Sequence, residues 1–174
     1  MTQRIPRRSS RLKWAWFAAA TAGGIPVGLL WWLLAPGGLN LITRDARLEA
    51  GTNPEVWLPR DLTLAGLFVF AGCLMAVFMT DKSRRSRPED LVLALAGTLA
   101  GAVIAWQAGM FAADMWGTPA DTSVNASVAF SLRSLSVLLL WAAATAVGTF
   151  AISLLTLLKH GPDGPVAGDA VPTP

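Results

Sequence analysis

Cys73 and His160 are the one cysteine and the one histidine of this 174-residue chain. A lone cysteine inside an apolar run makes neither an internal disulfide nor a Cys-x-x-Cys redox pair. It reads as a small membrane-buried side chain. His160 follows Lys159 at the end of an apolar run, where basic groups complement a helix dipole. No His, Cys and carboxylate cluster at ligand spacing suggests a metal site. No Gly-x-Ser-x-Gly elbow is present, and no glycine-rich loop is placed to cradle a phosphate. The expectation is therefore no catalytic, cofactor-binding or metal-binding residue, no cofactor, and no enzyme activity.

Five other polar residues invite a functional reading. Gln107 lies inside an apolar run, where a side-chain amide wants a partner. Asp114 lies about 36 Å beyond Asp90 along a helix rising ~1.5 Å per residue, at or just past the far edge of a membrane. Arg133 stands at about the same level ahead of the last run, and Arg60 and Asp61 directly precede the second. A polar vestibule of Gln107, Asp114, Arg133, Arg60 and Asp61 is one reading, and ordinary interfacial charges are the other. No ionisable group falls near a midplane, which argues against a proton-coupled pump.

The elements that must position these residues are four apolar runs, at residues 14–35, 62–80, 91–113 and 135–158. None contains Lys, Arg, Asp, Glu or His. Each is long enough to cross a bilayer, and in lipid a backbone that satisfies its own polar groups is a helix. The composition agrees: 53% of residues are hydrophobic and 14% charged, against about 25% charged in a soluble domain. The first run is longer than a signal-peptide core and lacks a clear cleavage site, so it reads as an uncleaved signal anchor.

Charge placement orients the spans. Arg4, Arg7, Arg8, Arg11 and Lys13 precede the first run, Lys82, Arg84, Arg85 and Arg87 fill the 81–90 connection, and Lys159 follows the fourth. Arg44, Arg47, Arg60 and Arg133 fall on the other side. The positive-inside rule then puts both termini in the cytoplasm. The basic arm abuts a span, so topology and anionic lipid account for it, and nucleic acid is not an expected partner.

Smaller signals fill in the architecture. Residues 1–13 read as a flexible basic arm and residues 159–174 as a disordered tail. Pro26 predicts a kink in the first span. Trp14 and Trp16 mark the inner interface, and Trp31 and Trp32 the outer one. Alternation after residue 38, a turn at 51–54 and a returning segment at 55–58 fit a short β-hairpin in the first outer loop as well as an irregular loop. The short 81–90 connection predicts that spans two and three are antiparallel neighbours. Ser86-Arg87-Pro88-Glu89 has capping-box spacing and starts span three. Thr122 or Ser123 fits as the cap of a helix running through Leu132 into span four. Gly24 and Gly28 in span one, and Gly97, Gly101, Ala105 and Gly109 in span three, recur every four residues. Such small-residue faces are packing surfaces, read here as contacts within the chain before contacts between chains.

The segment from Gly24 to Pro36, with Trp57, Pro59-Arg60-Asp61 and Trp106-Gln107-Ala108-Gly109, resembles a family of uncharacterised actinobacterial four-span membrane proteins. The resemblance covers roughly residues 20–158. It implies a plasma-membrane location in a bacterium and supplies no catalytic residues. Members are sometimes labelled transporter permeases. The combined expectation is an all-α integral-membrane four-helix bundle. Its partners are the lipid bilayer and either another membrane protein or further copies of itself. The leading function is a non-enzymatic accessory or interaction subunit, with a small transporter or channel component as the alternative.

Overall fold

The computed structural model describes residues 8–36, 39, 41, 57–80, 88–117 and 132–159. Four helices account for nearly all of them: α1 (Arg8–Leu34), α2 (Trp57–Thr80), α3 (Pro88–Trp116) and α4 (Leu139–Lys159), the last entered through a 3-10 turn at Leu135–Leu138. All four are long and apolar enough to cross a membrane, α4 together with its 3-10 turn. The 24 residues of α2 reach about 36 Å at ~1.5 Å per residue, more than the ~30 Å of a hydrocarbon core. The chain is a multi-pass membrane protein with an all-α bundle. The hairpin expected after residue 38 and the capping serine at 86 lie mostly or wholly outside the described residues, as does the 160–174 tail.

The helices extend beyond the apolar runs. α1 begins at Arg8, so the basic arm is helical from there rather than flexible throughout. Arg, Lys and Leu are good helix formers, and the long apolar run supplies the nucleus from which helix propagates back into the arm. α2 begins at Trp57, one turn before the expected start. Pro59 fits because the first turn of a helix has no use for its missing N–H. Arg60 and Asp61 therefore belong to the helix instead of leading into it. α3 opens at Pro88, with Glu89 and Asp90 in its first turn, where carboxylates favour the positive end of the helix dipole. α1 continues through Pro26 and ends at Leu34. Its last carbonyls are taken up by the chain that follows: Leu39 N–H donates to Trp32 O at 3.1 Å and Leu41 N–H to Leu33 O at 3.2 Å.

Pairing departs from sequence order. α1 packs chiefly on α3, and α2 on α4, while α2 and α3 barely touch despite their short connection. The expectation that spans two and three are antiparallel neighbours is corrected in part: they run antiparallel but are not close neighbours. The reason lies in the small residues. A Cβ added to Gly24 would run into the carbonyl of Gly101, and one added to Gly28 into the carbonyl of Ala105. A Cβ on Gly97 would fall 2.9 Å from Phe17 Cα, and one on Gly101 2.5 Å from Ala20 O. The two Gly-xxx-Gly faces thus meet each other, backbone on backbone. Contacts advance in the same direction along both helices, from Phe17–Gly97 to Trp31–Gly109, so α1 and α3 run parallel. α2 and α4 do the same, from Phe68–Trp141 to Ala76–Gly148. The bundle is two parallel pairs laid antiparallel to each other.

Trp141 joins the pairs. It is buried on α4 and stacks on Phe68 of α2, with centroids 5.5 Å apart and planes 22° apart. Its far ring edge lies 3.7 Å from the Cβ position of Gly23 on α1 and 3.1 Å from that of Gly101 on α3. One side chain of α4 therefore lies against α2 and α3 and reaches toward α1. Around it sit Trp31, Ala35, Leu64, Phe68, Ala102, Ala105, Leu132 and Val137.

Two substitutions separate close packing from helix propensity. Gly24→Ala forces a methyl against the Gly101 carbonyl and is expected to destabilise by about 1–3 kcal/mol. Gly66→Ala has open space around its Cβ and is expected to be neutral or to stabilise by about 0.5–1 kcal/mol. Thermal melts of the purified variants in detergent test this. A Gly24→Ala protein as stable as wild type would mean that the α1–α3 contact is not tight. Trp141→Ala, which empties the centre, is expected to cost about 3–5 kcal/mol in the same assay.

A candidate polar site where three chain segments meet

The end of the bundle that holds Trp31, Arg60 and Trp116 carries its buried charged groups. Arg60 and Asp61, in the first turns of α2, are only 5% and 4% exposed. Their burial follows from the helix starting at Trp57, which turns both residues inward above Leu64 and Phe68. Arg60 Nε donates to the Pro36 carbonyl at 3.0 Å. The Arg60 carbonyl accepts a hydrogen bond from Trp31 Nε1, also at 3.0 Å. Arg60 thus holds the end of α1 from two sides. Asp61 reaches the other way and accepts the backbone N–H of Ser134 through Oδ2 at 2.9 Å. The end of α1, the start of α2 and the entry to α4 are tied at one place.

This tie explains how span four begins. Ser134 is extended, with φ −101° and ψ 93°, and the 3-10 turn follows it. The expected continuous helix through Leu132 is overturned at this point. A helical Ser134 would offer its N–H to its own helix, whereas here Asp61 takes it. Leu132, just ahead, is buried in the core, so the chain enters α4 by an anchored bend. The expected caps at Thr122 and Ser123 lie outside the described residues.

The tryptophans divide differently from the expected belts. Trp31 is fully buried and Trp32 is 7% exposed, so this pair faces protein rather than marking an interface. Trp31 can do so because Arg60 O supplies a partner for its indole N–H. Trp14 and Trp116 are exposed near the two ends of the bundle, with Trp32 and Trp116 rings 5.9 Å apart. Four buried polar atoms have no hydrogen-bond partner among the described residues: Asp61 Oδ1 and the indole N–H groups of Trp32, Trp106 and Trp141.

Of the five residues read as a vestibule, the structure brings Arg60 and Asp61 together inside the bundle. Arg133 is exposed next to Ser134, Asp114 is exposed at the end of α3, and Gln107 is exposed on the side of α3 turned away from α1. Sequence reasoning passed over Ser134, Pro36 and Trp141. The first two act through backbone atoms, which no residue type announces. The third looks like any apolar-run tryptophan until all four helices are placed. Among the described residues, no three His, Cys, Asp or Glu side chains lie close enough to hold a metal. Comparison with protein-family models, curated proteins and solved structures finds no match to this chain.

Removing the Asp61 tie is expected to loosen the entry to α4. Asp61→Ala leaves the Ser134 N–H without its acceptor, at a cost of about 1–3 kcal/mol. Asp61→Asn keeps an acceptor oxygen and is expected to lose less. Hydrogen exchange at the Ser134 amide reads the effect directly, and equal protection in wild type and Asp61→Ala would rule the tie out.

Proposed function

We propose that the chain is a bacterial plasma-membrane protein with both termini in the cytoplasm, and that its work is association. It is a non-enzymatic accessory or interaction subunit of a larger membrane assembly, in keeping with the actinobacterial four-span family that its sequence resembles. One observation carries the reading. The centre of the bundle is filled by Trp141, which lies against α2 and α3 and reaches toward α1, so the interior serves packing and the surface is left for recognition.

The test is co-purification in mild detergent from cells grown under several conditions. A partner membrane protein recovered in fixed ratio is the expected result, and recovery of this chain alone under every condition would defeat the reading. Orientation is tested separately. A reporter fused at residue 85, in the basic 81–90 connection, is expected to report the cytoplasm, and a periplasmic signal there would invert the topology.

A transporter or channel component is the second reading. The observation favouring it is the buried Arg60–Asp61 pair, with Asp61 Oδ1 left unpartnered. Intramembrane ionisable groups commonly mark ion or proton paths. Reconstituted vesicles showing a flux that Asp61→Asn abolishes would favour it over association.

A further inference from the structure

Gln107 is a polar side chain that the described part of the bundle does not use. It sits about 14 Å below Trp116 and about 26 Å above Asp90 at ~1.5 Å per residue, inside the thickness of a hydrocarbon core. It lies on the side of α3 opposite the buried face of Gly101, Ala102 and Ala105, between exposed Val103 and Phe111. Side chains on a helix lean toward its N-terminus. Gln107 therefore leans away from the nearer end of α3, at Trp116, and deeper into the span. Snorkelling to the nearer interface is closed to it.

Several hydroxyls of the spans are satisfied locally. The hydroxyls of Thr63, Thr80, Thr145 and Thr149 each donate to the carbonyl four residues back. Gln107 makes no hydrogen bond among the described residues. A primary amide has both donors and an acceptor to satisfy, and lipid offers neither.

We propose that Gln107 is the centre of a homodimer interface, in which α3 of one chain packs against α3 of a second copy. The amide is self-complementary. Copies of one chain share an orientation in the bilayer, so a two-fold axis along the membrane normal brings Gln107 to Gln107 of the partner subunit. Each amide then donates one bond and accepts one. Two-fold dimers are also the commonest closed assembly. The surrounding surface fits. Ala96, Ala100, Val103, Gln107, Met110 and Asp114 alternate at spacings of four and three, the seam of a left-handed helix pair. All six are exposed or half-exposed. Ala96 and Ala100 allow close approach, and Asp114 falls at the end of the seam nearest the membrane edge, where water solvates it. This goes beyond the accessory role proposed above, since self-association is decided on the purified chain with no other protein present.

The test uses the full chain with Cys73→Ser and a dye on Pro174→Cys, reconstituted in liposomes over a range of lipid dilution. Photobleaching steps count the copies. Dimers are expected, with the dissociation constant raised about tenfold by Gln107→Leu and less by Gln107→Asn. Gln107 is exposed in the monomer, so the monomer's melting temperature is expected to stay unchanged. In the same Cys73→Ser background, Val103→Cys is expected to crosslink under oxidation, and Phe70→Cys, exposed on α2, is not. Monomers at every dilution, dimers indifferent to Gln107→Leu, or crosslinking through Phe70→Cys instead of Val103→Cys would each overturn the proposal.

Discussion

Everything else in this bundle is set by how closely α1 and α3 approach. In water, apolar faces drive helices together. In a bilayer the surrounding chains are as apolar as leucine, and that drive is absent. Association then depends on van der Waals contact, which falls away steeply with distance. Glycine at 24, 28 and 101 removes the side chains that would otherwise hold the two backbones apart. Because the fit is between backbones, it also fixes register. A slide of one residue would put Ile25 or Leu29 where Gly24 and Gly28 now pass.

The α1–α3 pair in turn creates the space that Trp141 fills. With Gly101 closed against Ala20 and Gly24, and Gly23 beside it, the indole from α4 reaches the gap between the two backbones and stacks on Phe68 behind. The second parallel pair uses the same device at lower density. The Cβ position of Gly72 meets Ala144, and that of Gly148 meets Ala76. The polar tie at Arg60 and Asp61 belongs to the same construction. Anchoring Pro36 and Ser134 to adjacent residues of α2 fixes where the chain leaves α1 and where it enters α4.

The spans, the all-helical class and the small-residue faces were legible in the sequence, because bilayer thickness and glycine spacing are local quantities. Helix pairing was not. A short 81–90 connection argues for neighbours on the grounds of chain length, but chain length only limits distance. The deciding quantity is which faces can approach closest, and Gly24 and Gly28 close directly on Gly101 and Ala105. The outer tryptophan pair, Trp31 and Trp32, departed from expectation for a related reason. Hydropathy sees Trp31-Trp32 and Trp116 alike, and only the Arg60 carbonyl, placed by a different helix, makes burial of Trp31 acceptable. Arg60 and Asp61 were legible as residues of interest, but their action through Pro36 and Ser134 backbone atoms leaves no mark on residue type.

Size and polarity compete at the buried tryptophans. Burying an indole N–H without an acceptor costs free energy, and those of Trp32, Trp106 and Trp141 are buried with no acceptor among the described residues. Phenylalanine would avoid that cost and still stack on Phe68, but it is smaller than indole. At position 141 the outer edge of the six-membered ring is the part that touches Gly23 and Gly101, so a smaller ring would give up contact with α1 and α3. Size therefore outweighs polarity at the centre, consistent with a medium in which contact area holds helices together. The same balance runs the other way at Gln107. It is exposed and makes no hydrogen bond among the described residues, so its polarity has no compensating contact there.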